Sequence, residues 1–593
     1  MQHAGTDVDA RDAAGLASGV YLYRLNVATL SRQRKQRTYD KERMFVMIHT
    51  RLQKDVRAWT RGVISVLMLQ GMVLLPQLRA QGANEAVIYL DSLRQVIRGF
   101  GGANIVGWNP GLNYGDMTPG QIQTAFGNGP GELGFTIMRL RIPPDSTQFR
   151  INVPSTKLAE SLGATVIATP WTPPAWMKTS GSIIGGSLGT NNYAAFAAHL
   201  KAFADTMASN GAPVYAVSVQ NEPDFIPTGY EGCGWNGTQF LQFMRNNAPA
   251  VGIPVFMPEA AGFNHTLSDP TLNDSVAASH VAFIGGHIYG ATPASYPLAL
   301  SKGKELWMTE YLINSPGSGP NMDTSLIGAL ATAKSINDCM NANMSAYVWW
   351  YIVRYYGPID DGTKGGVAGS ITKKGYVMSQ FARFVRPGYM RVLSTIPRGS
   401  VYVTAYKPVL PGSSSNSKFV IVAVNMGSSS TQQTFRIGNI ATGTATVKPY
   451  VTSRTKDCEQ QSDMTVSYGT FTATLADSSV TTFVRGVVVS VDDEGPRLPQ
   501  TFELFQNYPN PFNPITVIRF GLPVASRVSL NVFDLLGRNV ASLADGMMGA
   551  GYHNTEWNAR AVASGLYFYR LEATTIENPQ TKFVETRKML LLR

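Results

Sequence analysis

Apolar residues follow two different periods between residues 96 and 385. Short, nearly continuous apolar runs, typical of buried parallel strands, recur as VIRGFGGA, FTIMRLRI, ATVIATPW, YAVSVQNE, PVFMPEA, FIGGHIYG, ELWMTEY and AYVWWYI. Stretches with helical periodicity separate several of them, such as YAAFAAHLKAFADTMASNG and SLIGALATAKSINDCMNAN. Eight strand–helix units predict an α/β protein whose residues 98–385 form a (β/α)8 TIM barrel. A doubly wound sheet is the alternative, but it would need a glycine-rich phosphate turn that opens a helix after the first strand.

The pattern changes to alternating strands after the barrel. VYVTAYK, FVIVAVNM, TATVKPYVTS and VTTFVRG follow one another with turn residues between them. Short alternating strands of this kind predict a β-sandwich side domain over residues 386–490. Its expected role is structural, with carbohydrate contact as the alternative. The acidic, proline-containing stretch at 491–500 reads as a linker.

An apolar stretch, GVISVLMLQGMVLLPQLRAQG, lies between Arg61 and Gly82. It follows several basic residues and ends in small residues, the order found in signal peptides. We therefore predict a signal peptide over residues 44–83, with cleavage near 80–83. The alternative is a transmembrane helix, but Pro76, Gln77 and Arg79 interrupt the stretch before the ~20 apolar residues that a span requires.

The residues before this segment repeat the other end of the chain. ASGVYLYRL at 17–25 nearly matches ASGLYFYRL at 563–571. Two copies this far apart in the chain do not form a repeat array. We interpret residues 1–43 as a misassigned extension that resembles the end of a sorting domain. It would be the tail of a neighbouring exported protein, joined by a start codon assigned too early, and a genuine amino-terminal extension is the alternative.

Composition and charge exclude several functions. The chain has 593 residues and a net charge of +11, which raises the question of nucleic-acid binding. Residues 1–83, however, carry 13 Lys or Arg and 6 Asp or Glu, so a net +7 belongs to them and only +4 to the rest. No nucleic-acid partner is expected. The three cysteines and seven histidines show no metal-ligand spacing, so neither metal nor cofactor is predicted, and a monomer is expected.

Polar and aromatic side chains lie where the predicted barrel strands end, which is where such barrels hold their chemistry. These residues are Arg139, Trp171, Asn221, Glu222, Glu259, Tyr289, Glu310 and Trp349. Cleavage of a glycosidic bond needs one protonated and one ionised carboxyl group. Glu222 ends the fourth predicted strand and Glu310 the seventh, so both are expected to point into one mouth. A structural role for either glutamate is the alternative.

Other residues fit supporting roles around this pair. Asn221 suits a hydrogen bond to a sugar 2-hydroxyl, Arg139 suits an ionic contact that keeps one glutamate ionised, and Glu259 is read as a supporting carboxylate. Aromatic side chains near the mouth are candidates for stacking on sugar rings, although most tryptophans belong to cores. They are Trp171, Trp176, Trp235, Tyr289, Trp349 and Tyr356.

Several of these segments resemble a known family. TPWTPPAWMK, YAVSVQNEPD, GGHIYG, LWMTE and SAYVWWYIVRYYGPI are similar to glycoside hydrolase family 30, specifically its bacterial glucuronoxylanase subfamily, over about residues 85–487. The resemblance implies a secreted, retaining endo-β-1,4-xylanase with Glu222 as acid/base and Glu310 as nucleophile. It also implies that residues 84–97 join the side domain.

The resemblance further implies that an arginine after the eighth strand, with nearby tyrosines, binds the 4-O-methylglucuronate branch of glucuronoxylan. Arg354, Tyr356 and Tyr289 match that pattern, and a guanidinium binds a carboxylate through two charged hydrogen bonds. The chain departs from the pattern at Val353 and Thr292 and in the longer loop GTKGGVAG. The strictness of branch recognition is therefore left open.

Residues 501–593 resemble the carboxy-terminal sorting domain of the type IX secretion system, because FELFQNYPNPFNPITVIRFGLP is followed by VSLNVFDLLGRNVASL and ASGLYFYRLEA. This implies a small all-β domain that the outer-membrane secretion machinery recognises, and a secreted or cell-surface location. A carbohydrate-binding module is the alternative, although Trp557 is the only tryptophan there.

Two further functions compete with the xylanase hypothesis. One is another family-30-like β-glycosidase, such as a glucosylceramidase or β-1,6-glucanase, against which Arg354 counts. The other is a non-catalytic surface protein that binds polysaccharide, which would be expected to lack one of the two carboxylates.

Overall fold

The computed structural model describes residues 84–109, 115–313, 325–397, 399–408, 418–438, 440, 444–486, 501–507, 510–548, 551–575 and 581–592. The predicted signal peptide, the extension before it and the linker at 491–500 lie outside these residues. In the part described, no helix combines the length and the hydropathy that a membrane span requires.

Eight parallel strands close into a barrel, which confirms the predicted (β/α)8 fold. The strands are β2 (Gly99–Asn104), β3 (Ile137–Ile142), β4 (Thr165–Pro170), β5 (Ala216–Ser218), β6 (Val255–Ala260), β7 (Val281–His287), β8 (Leu306–Glu310) and β9 (Met344–Tyr351). Each overlaps one of the eight apolar segments. The strands read as apolar runs because helices cover the outer face of the barrel and side chains fill its interior.

The α-helices of the described residues lie between or after these strands. They are α1 (Pro119–Phe126), α2 (Val153–Ser161), α3 (Tyr193–Ser209), α4 (Gly237–Asn246), α5 (Asp269–Asn273), α6 (Ser275–His280), α7 (Pro297–Ser301), α8 (Leu326–Asn341) and α9 (Lys373–Ala382). Thr118 and Asn236 begin α1 and α4 with capping boxes, in which the side chain and backbone of two residues satisfy each other.

A layer of buried side chains fills the barrel, so its interior is a packed core and not a pore. Its members are Ile137, Ile167, Ala216, Phe256, Phe283, Trp307, Ala346 and Val348. Phe283 stacks between Phe256 and Trp307, at centroid distances of 4.5 and 4.1 Å. This layer closes the barrel beneath the strand ends that hold the polar residues.

A second sheet forms the side domain. It contains β1 (Glu85–Val96), β10 (Tyr389–Ser394), β11 (Val401–Pro408), β12 (Phe419–Asn425), β13 (Thr431–Gly438), β14 (Thr444–Thr452), β15 (Glu459–Gln460), β16 (Met464–Ser467), β17 (Thr470–Leu475) and β18 (Ser479–Arg485). β14 pairs with β16 in its first half and with β18 in its second, so the sheet closes on itself as a sandwich. The β-sandwich prediction is confirmed.

Strand β12 shows how the sandwich joins the barrel. Its residues Phe419, Ile421 and Ala423 face the sandwich core. The alternate residues Val420, Val422 and Val424 belong to the core shared with the barrel. Because successive side chains of a strand point to opposite faces, this strand is buried on both sides and the two domains pack through apolar surface.

The carboxy-terminal residues form an all-β domain of two sheets. Its strands are β19 (Glu503–Leu504), β20 (Ile515–Leu522), β21 (Ser526–Phe533), β22 (Asn539–Met548), β23 (Gly551–Asn558), β24 (Gly565–Thr575) and β25 (Lys582–Leu591). Trp557 is buried in the core of this domain. Cys233, Cys339 and Cys458, all in the other two domains, are buried free thiols.

Candidate active site

The barrel mouth brings together five charged or titratable side chains from five different strands. Arg139 lies in β3, Glu222 follows β5, Glu259 lies in β6, and His287 and Glu310 end β7 and β8. All parallel strands of a closed barrel end at the same rim, so residues far apart in sequence meet there. The predicted meeting of Glu222 and Glu310 is therefore observed.

Arg139 contacts three other residues at the barrel mouth. Its Nη1 donates to Glu310 Oε2 at 2.7 Å, its Nη2 donates to Asn221 Oδ1 at 2.7 Å, and Nη2 lies 3.2 Å from Glu259 Oε1. Burial acts to lower the pKa of Arg139, but the neighbouring carboxylates outweigh it and raise that pKa. The guanidinium is thus a permanent positive charge in the centre of the site.

Glu310 is held from three directions. Besides Arg139, the Tyr289 hydroxyl donates to Glu310 Oε1 at 3.0 Å, and His287 Nδ1 lies 3.9 Å from the same oxygen. Burial and the neighbouring Glu222 raise the pKa of Glu310 above its usual value, and the positive charges of His287 and Arg139 offset only part of that rise. The carboxylate therefore has a fixed orientation, set by hydrogen bonds that do not depend on a ligand.

His287 is a site residue that the sequence reasoning missed. Its Nδ1 lies 3.0 Å from Glu222 Oε1, and its Nε2 lies 3.8 Å from Glu259 Oε1. Burial acts to lower the pKa of His287, but Glu310, Glu222 and Glu259 outweigh it and raise the pKa to about 9. His287 is the last residue of β7, so its position at the end of a predicted barrel strand was the available signal.

Glu222 and Glu259 both adopt the left-handed backbone conformation, with φ of 42° and 53°. The two turns are joined, since the Glu222 N–H donates to the Glu259 carbonyl oxygen at 3.1 Å. Left-handed geometry is unfavourable for residues other than glycine and concentrates at functional sites. The barrel scaffold therefore imposes the orientation of both side chains.

Glu259, predicted as a supporting carboxylate, lies inside the charged cluster. It is fully buried, and Thr169 Oγ1 donates to its Oε2 at 2.8 Å. Burial opposes ionisation, but Arg139 and His287 outweigh it and lower the pKa of Glu259 to about 2. This carboxylate is ionised throughout the physiological pH range.

The predicted sugar-stacking aromatics lie in different environments. Trp171 is nearly buried, with the Arg139 guanidinium 4.8 Å from its ring centroid, so it lines the charged cluster. Trp176 is 68% exposed on the 3-10 turn Ala175–Met177, and its described contacts do not join it to the cluster. Trp349 is fully buried beneath the Lys374 ammonium, whose Nζ lies 4.4 Å from its ring centroid.

Trp235 was expected near the mouth of the barrel but lies elsewhere. It is buried in the outer layer of the barrel, stacked between Tyr193 at 5.8 Å and Phe240 at 5.2 Å. The expectation failed because its neighbour Asn236 begins helix α4, which carries the tryptophan into the core between α3 and α4.

Arg354 lies in an aromatic pocket beside the cluster. Its guanidinium carbon is 5.1 Å from the Tyr351 ring and 5.5 Å from the Tyr356 ring, and all three residues are buried. Burial raises the pKa of Tyr356 to about 12, with Arg354 acting to lower it. The Trp108 indole donates to the Tyr351 hydroxyl at 2.6 Å, so the pocket has a rigid wall.

Glu222, His287 and Glu310 offer ligand atoms that lie within 4.8 Å of one another. A metal ion at these atoms would need a neutral His287, whereas the neighbouring carboxylates raise its pKa, and it would lie close to the positive charge of Arg139. The same spacing suits a different chemistry, in which a sugar carbon and its leaving oxygen lie between two carboxyl groups.

A (β/α)8 barrel that presents two carboxyl groups to each other at its mouth, with an arginine holding one of them, has the architecture of a glycoside hydrolase. The model of the glycosyl hydrolase family 30 TIM-barrel domain matches residues 133–231. The chain is 39% identical over 414 residues to glucuronoxylanase XynC of Bacillus subtilis, covering 68% of this chain and 92% of that protein. The chain belongs to glycoside hydrolase family 30, and it is a glycoside hydrolase.

Solved structures show the same relationship. A glycoside hydrolase family 30 subfamily 8 xylanase from Clostridium acetobutylicum superimposes with a TM-score of 0.60 at 38% identity, covering 68% of this chain and 99% of that one. A family 30 endoxylanase from Clostridium papyrosolvens gives a TM-score of 0.58 at 33% identity, with the same coverage.

The carboxy-terminal domain has a function separate from that of the barrel. Residues 506–585 match the model of the secretion system C-terminal sorting domain. The match confirms the predicted sorting domain, and it indicates type IX secretion and export to the cell surface or the extracellular space.

Proposed function

We propose that the protein is an endo-β-1,4-xylanase that cleaves within glucuronoxylan chains and retains the configuration of the sugar. The similarity to a glucuronoxylanase and to family 30 xylanases supports the substrate class. The separation of the carboxyl groups supports the stereochemistry. Oxygen atoms of Glu222 and Glu310 lie within 4.8 Å, whereas inverting enzymes need about 6.5–9.5 Å to admit a water molecule and retaining enzymes need about 5–5.5 Å.

In the first step, Glu310 attacks the anomeric carbon as that carbon loses its bond to the leaving oxygen, which takes the proton of Glu222. The product is a glycosyl ester on Glu310. In the second step, Glu222 removes a proton from water, the water oxygen bonds to the anomeric carbon, and the ester bond breaks. Glu222 regains its proton and Glu310 its negative charge, so one cycle leaves the enzyme unchanged.

The other predicted residues orient this pair. Arg139 and Tyr289 hold Glu310 through hydrogen bonds of 2.7 and 3.0 Å, which keeps one carboxylate oxygen directed at the sugar. Because Asn221 accepts from Arg139 through its Oδ1, its amide group is left to donate to the sugar 2-hydroxyl. Trp171 packs against Arg139 and forms the wall of the same subsite.

Arg354 is proposed to bind the 4-O-methylglucuronate branch. Its guanidinium is held among aromatic rings, beside Tyr351 and Tyr356. A buried, oriented guanidinium binds a carboxylate more strongly than a flexible surface arginine, because little conformational entropy is lost on binding. The Tyr356 hydroxyl is hydrogen-bonded to Arg354 and is proposed to donate its own proton to the same carboxylate.

Product analysis with two substrates tests this assignment. Wild-type enzyme is expected to release acid-branched oligosaccharides of regular pattern from glucuronoxylan and little from neutral arabinoxylan. Arg354→Ala is expected to lower kcat/KM on glucuronoxylan roughly 5- to 150-fold. This corresponds to about 1–3 kcal/mol of transition-state stabilisation, lost with the charged hydrogen bonds. The rate of reducing-end formation measures the effect, and Arg354→Lys serves as the charge-matched control.

Other outcomes would redirect the proposal. Equal cleavage of both xylans by wild-type enzyme would keep the xylanase and remove the branch specificity. Kinetics of Arg354→Ala equal to those of wild type would remove Arg354 from the substrate site. Cleavage of neither xylan would favour the β-1,6-glucanase or glucosylceramidase alternative, and inactivity on all these substrates would favour a polysaccharide-binding protein.

For export, we propose that residues 44–83 act as a signal peptide and that the mature enzyme comprises the barrel (98–385), the side domain (84–97 with 386–490) and the sorting domain (501–593). The basic and apolar pattern of the first of these segments supports it. Amino-terminal sequencing of secreted protein is expected to begin near residue 83. A terminus at Gln2 would contradict cleavage.

A further inference from the structure

The active site contains a third buried glutamate for which the proposed reaction has no chemical step. Glu259 is fully buried, adjoins both cations of the cluster and is tied by its backbone to the turn of Glu222. Two carboxyl groups suffice for a glycosidase. A buried charge is costly unless it is compensated, so the presence of this carboxylate requires a physical reason.

The charges of the cluster supply that reason. Three carboxyl groups, from Glu222, Glu259 and Glu310, face two basic groups, from Arg139 and His287. When Glu222 carries its proton and the other groups are ionised, two negative charges balance two positive charges. After the first chemical step, Glu222 is ionised and Glu310 is a neutral ester, and the sum is again zero.

Without Glu259 this balance fails in both states. The cluster would carry one excess positive charge, and the easiest way for a buried cluster to lose it is to release the proton of His287. His287 would then present a neutral ring to Glu222 and Glu310, and Glu310 would lose one of its two neighbouring cations.

We propose that Glu259 is a positioning residue that keeps His287 protonated, so that the site remains electrically neutral while the proton of Glu222 is transferred. The proposal rests on the proposed function for the roles of Glu222 and Glu310. It explains why Glu259 shares Arg139 with Glu310 and lies on the Nε2 side of His287, while Nδ1 faces the reacting pair.

Arg139 neighbours His287 through the carboxylates of Glu259 and Glu310, which both cations share. Four groups among the described residues face the ring of His287 directly. They are Glu222 Oε1 at 3.0 Å and Glu310 Oε1 at 3.9 Å from Nδ1, Glu259 Oε1 at 3.8 Å from Nε2, and the Tyr289 ring at 6.0 Å. Of these, Glu259 is the carboxylate that the proposed reaction leaves unchanged. It is therefore the group whose removal tests the charge balance with the least direct damage to the chemistry.

The test follows the imidazole of His287 by NMR in the purified full chain, labelled at histidine and titrated without substrate. The seven histidines are distinguished by comparison with a His287→Gln spectrum. In wild-type enzyme His287 is expected to stay protonated through neutral pH. In Glu259→Gln its pKa is expected to fall by about 1–3 units, the usual effect of losing an adjacent opposite charge.

Glu231→Gln is the matched control. Glu231 is also a buried glutamate paired with a buried arginine, since Arg141 Nε donates to its Oε2 at 2.9 Å. This variant removes an equivalent ion pair outside the cluster, so it is expected to lose stability while the pKa of His287 stays at its wild-type value. It separates loss of a buried ion pair from loss of charge balance.

The pH profile of kcat/KM provides a second measurement. It would not shift if Glu259 had a purely structural role. Removing a negative charge favours deprotonation of the neighbouring acids, so both limbs of the pH profile of kcat/KM are expected to move to lower pH in Glu259→Gln. The pH profile of Glu231→Gln is expected to keep the wild-type positions.

An unchanged His287 pKa in Glu259→Gln would overturn the proposal. If that variant does not fold, the wild-type titration still decides, because a His287 that loses its proton below about pH 6.5 would also overturn it. Failure of the proposed xylanase function would give a different result from failure of the charge role of Glu259. An enzyme that cleaves no xylan, yet shows the shift of His287, would retain the charge role of Glu259 and contradict the xylanase.

Discussion

Glu310→Gln is expected to abolish turnover of glucuronoxylan. The amide has nearly the same shape as the carboxylate, but it is a poor nucleophile and carries no negative charge to stabilise the developing positive charge on the sugar. Loss of the nucleophile is expected to reduce kcat by at least about four orders of magnitude, or about 5 kcal/mol of transition-state stabilisation. Initial rates of reducing-end formation measure the loss.

Glu305→Gln is a suitable control for this variant. Glu305 directly precedes β8 at the opposite end of the strand from Glu310 and forms a partly exposed ion pair with Arg98. Exposed ion pairs contribute little, so this variant is expected to keep nearly wild-type activity. Turnover by Glu310→Gln near the wild-type rate would refute the assignment of the nucleophile.

Glu222→Gln is expected to have an effect that depends on the leaving group. Cleavage of xylan needs a proton on a sugar oxygen, and general acid catalysis contributes about 10²- to 10⁴-fold. In an aryl glycoside of a glucuronate-branched xylo-oligosaccharide, the nitrophenolate leaving group departs without that proton, so formation of the glycosyl-enzyme is expected to be nearly as fast as in wild type. The burst of nitrophenolate measures this first step.

The second step supplies an independent check on Glu222. Because water is no longer activated, the ester on Glu310 is expected to accumulate, and azide, which needs no general base, is expected to restore turnover. The glycosyl azide should have the configuration of the substrate. Equal losses on xylan and on the aryl substrate, without rescue by azide, would remove Glu222 from the acid/base role.

Much of the fold could be predicted from the order of residues alone. Each barrel strand is buried on both faces, so it reads as a short apolar run, and each helix adds its own period. Glu222 and Glu310 could be named as candidates because chemistry in a barrel lies at strand ends. The family resemblance then supplied separate roles for them, which strand position alone does not distinguish.

The aromatic residues show where such reasoning stops. Trp171 and Trp349 both lie at strand ends, yet Trp171 lines the charged cluster and Trp349 is covered by Lys374. Trp235 follows the loop that carries Glu222, yet it packs in the core between α3 and α4. Whether a ring faces a cleft or a core depends on side-chain direction and on neighbours distant in sequence, and periodicity contains neither.

The barrel, the side domain, the sorting domain and the candidate pair of glutamates could be predicted from the order of residues, because each depends on local pattern or on a contiguous motif. The contacts of Arg139 with Glu310, Glu259 and Asn221, and the position of His287 between three carboxyl groups, became evident from the folded chain alone. The charge of each group depends on distances across the barrel, since burial and neighbouring charges together set its protonation. Those distances exist only once all eight strands have closed.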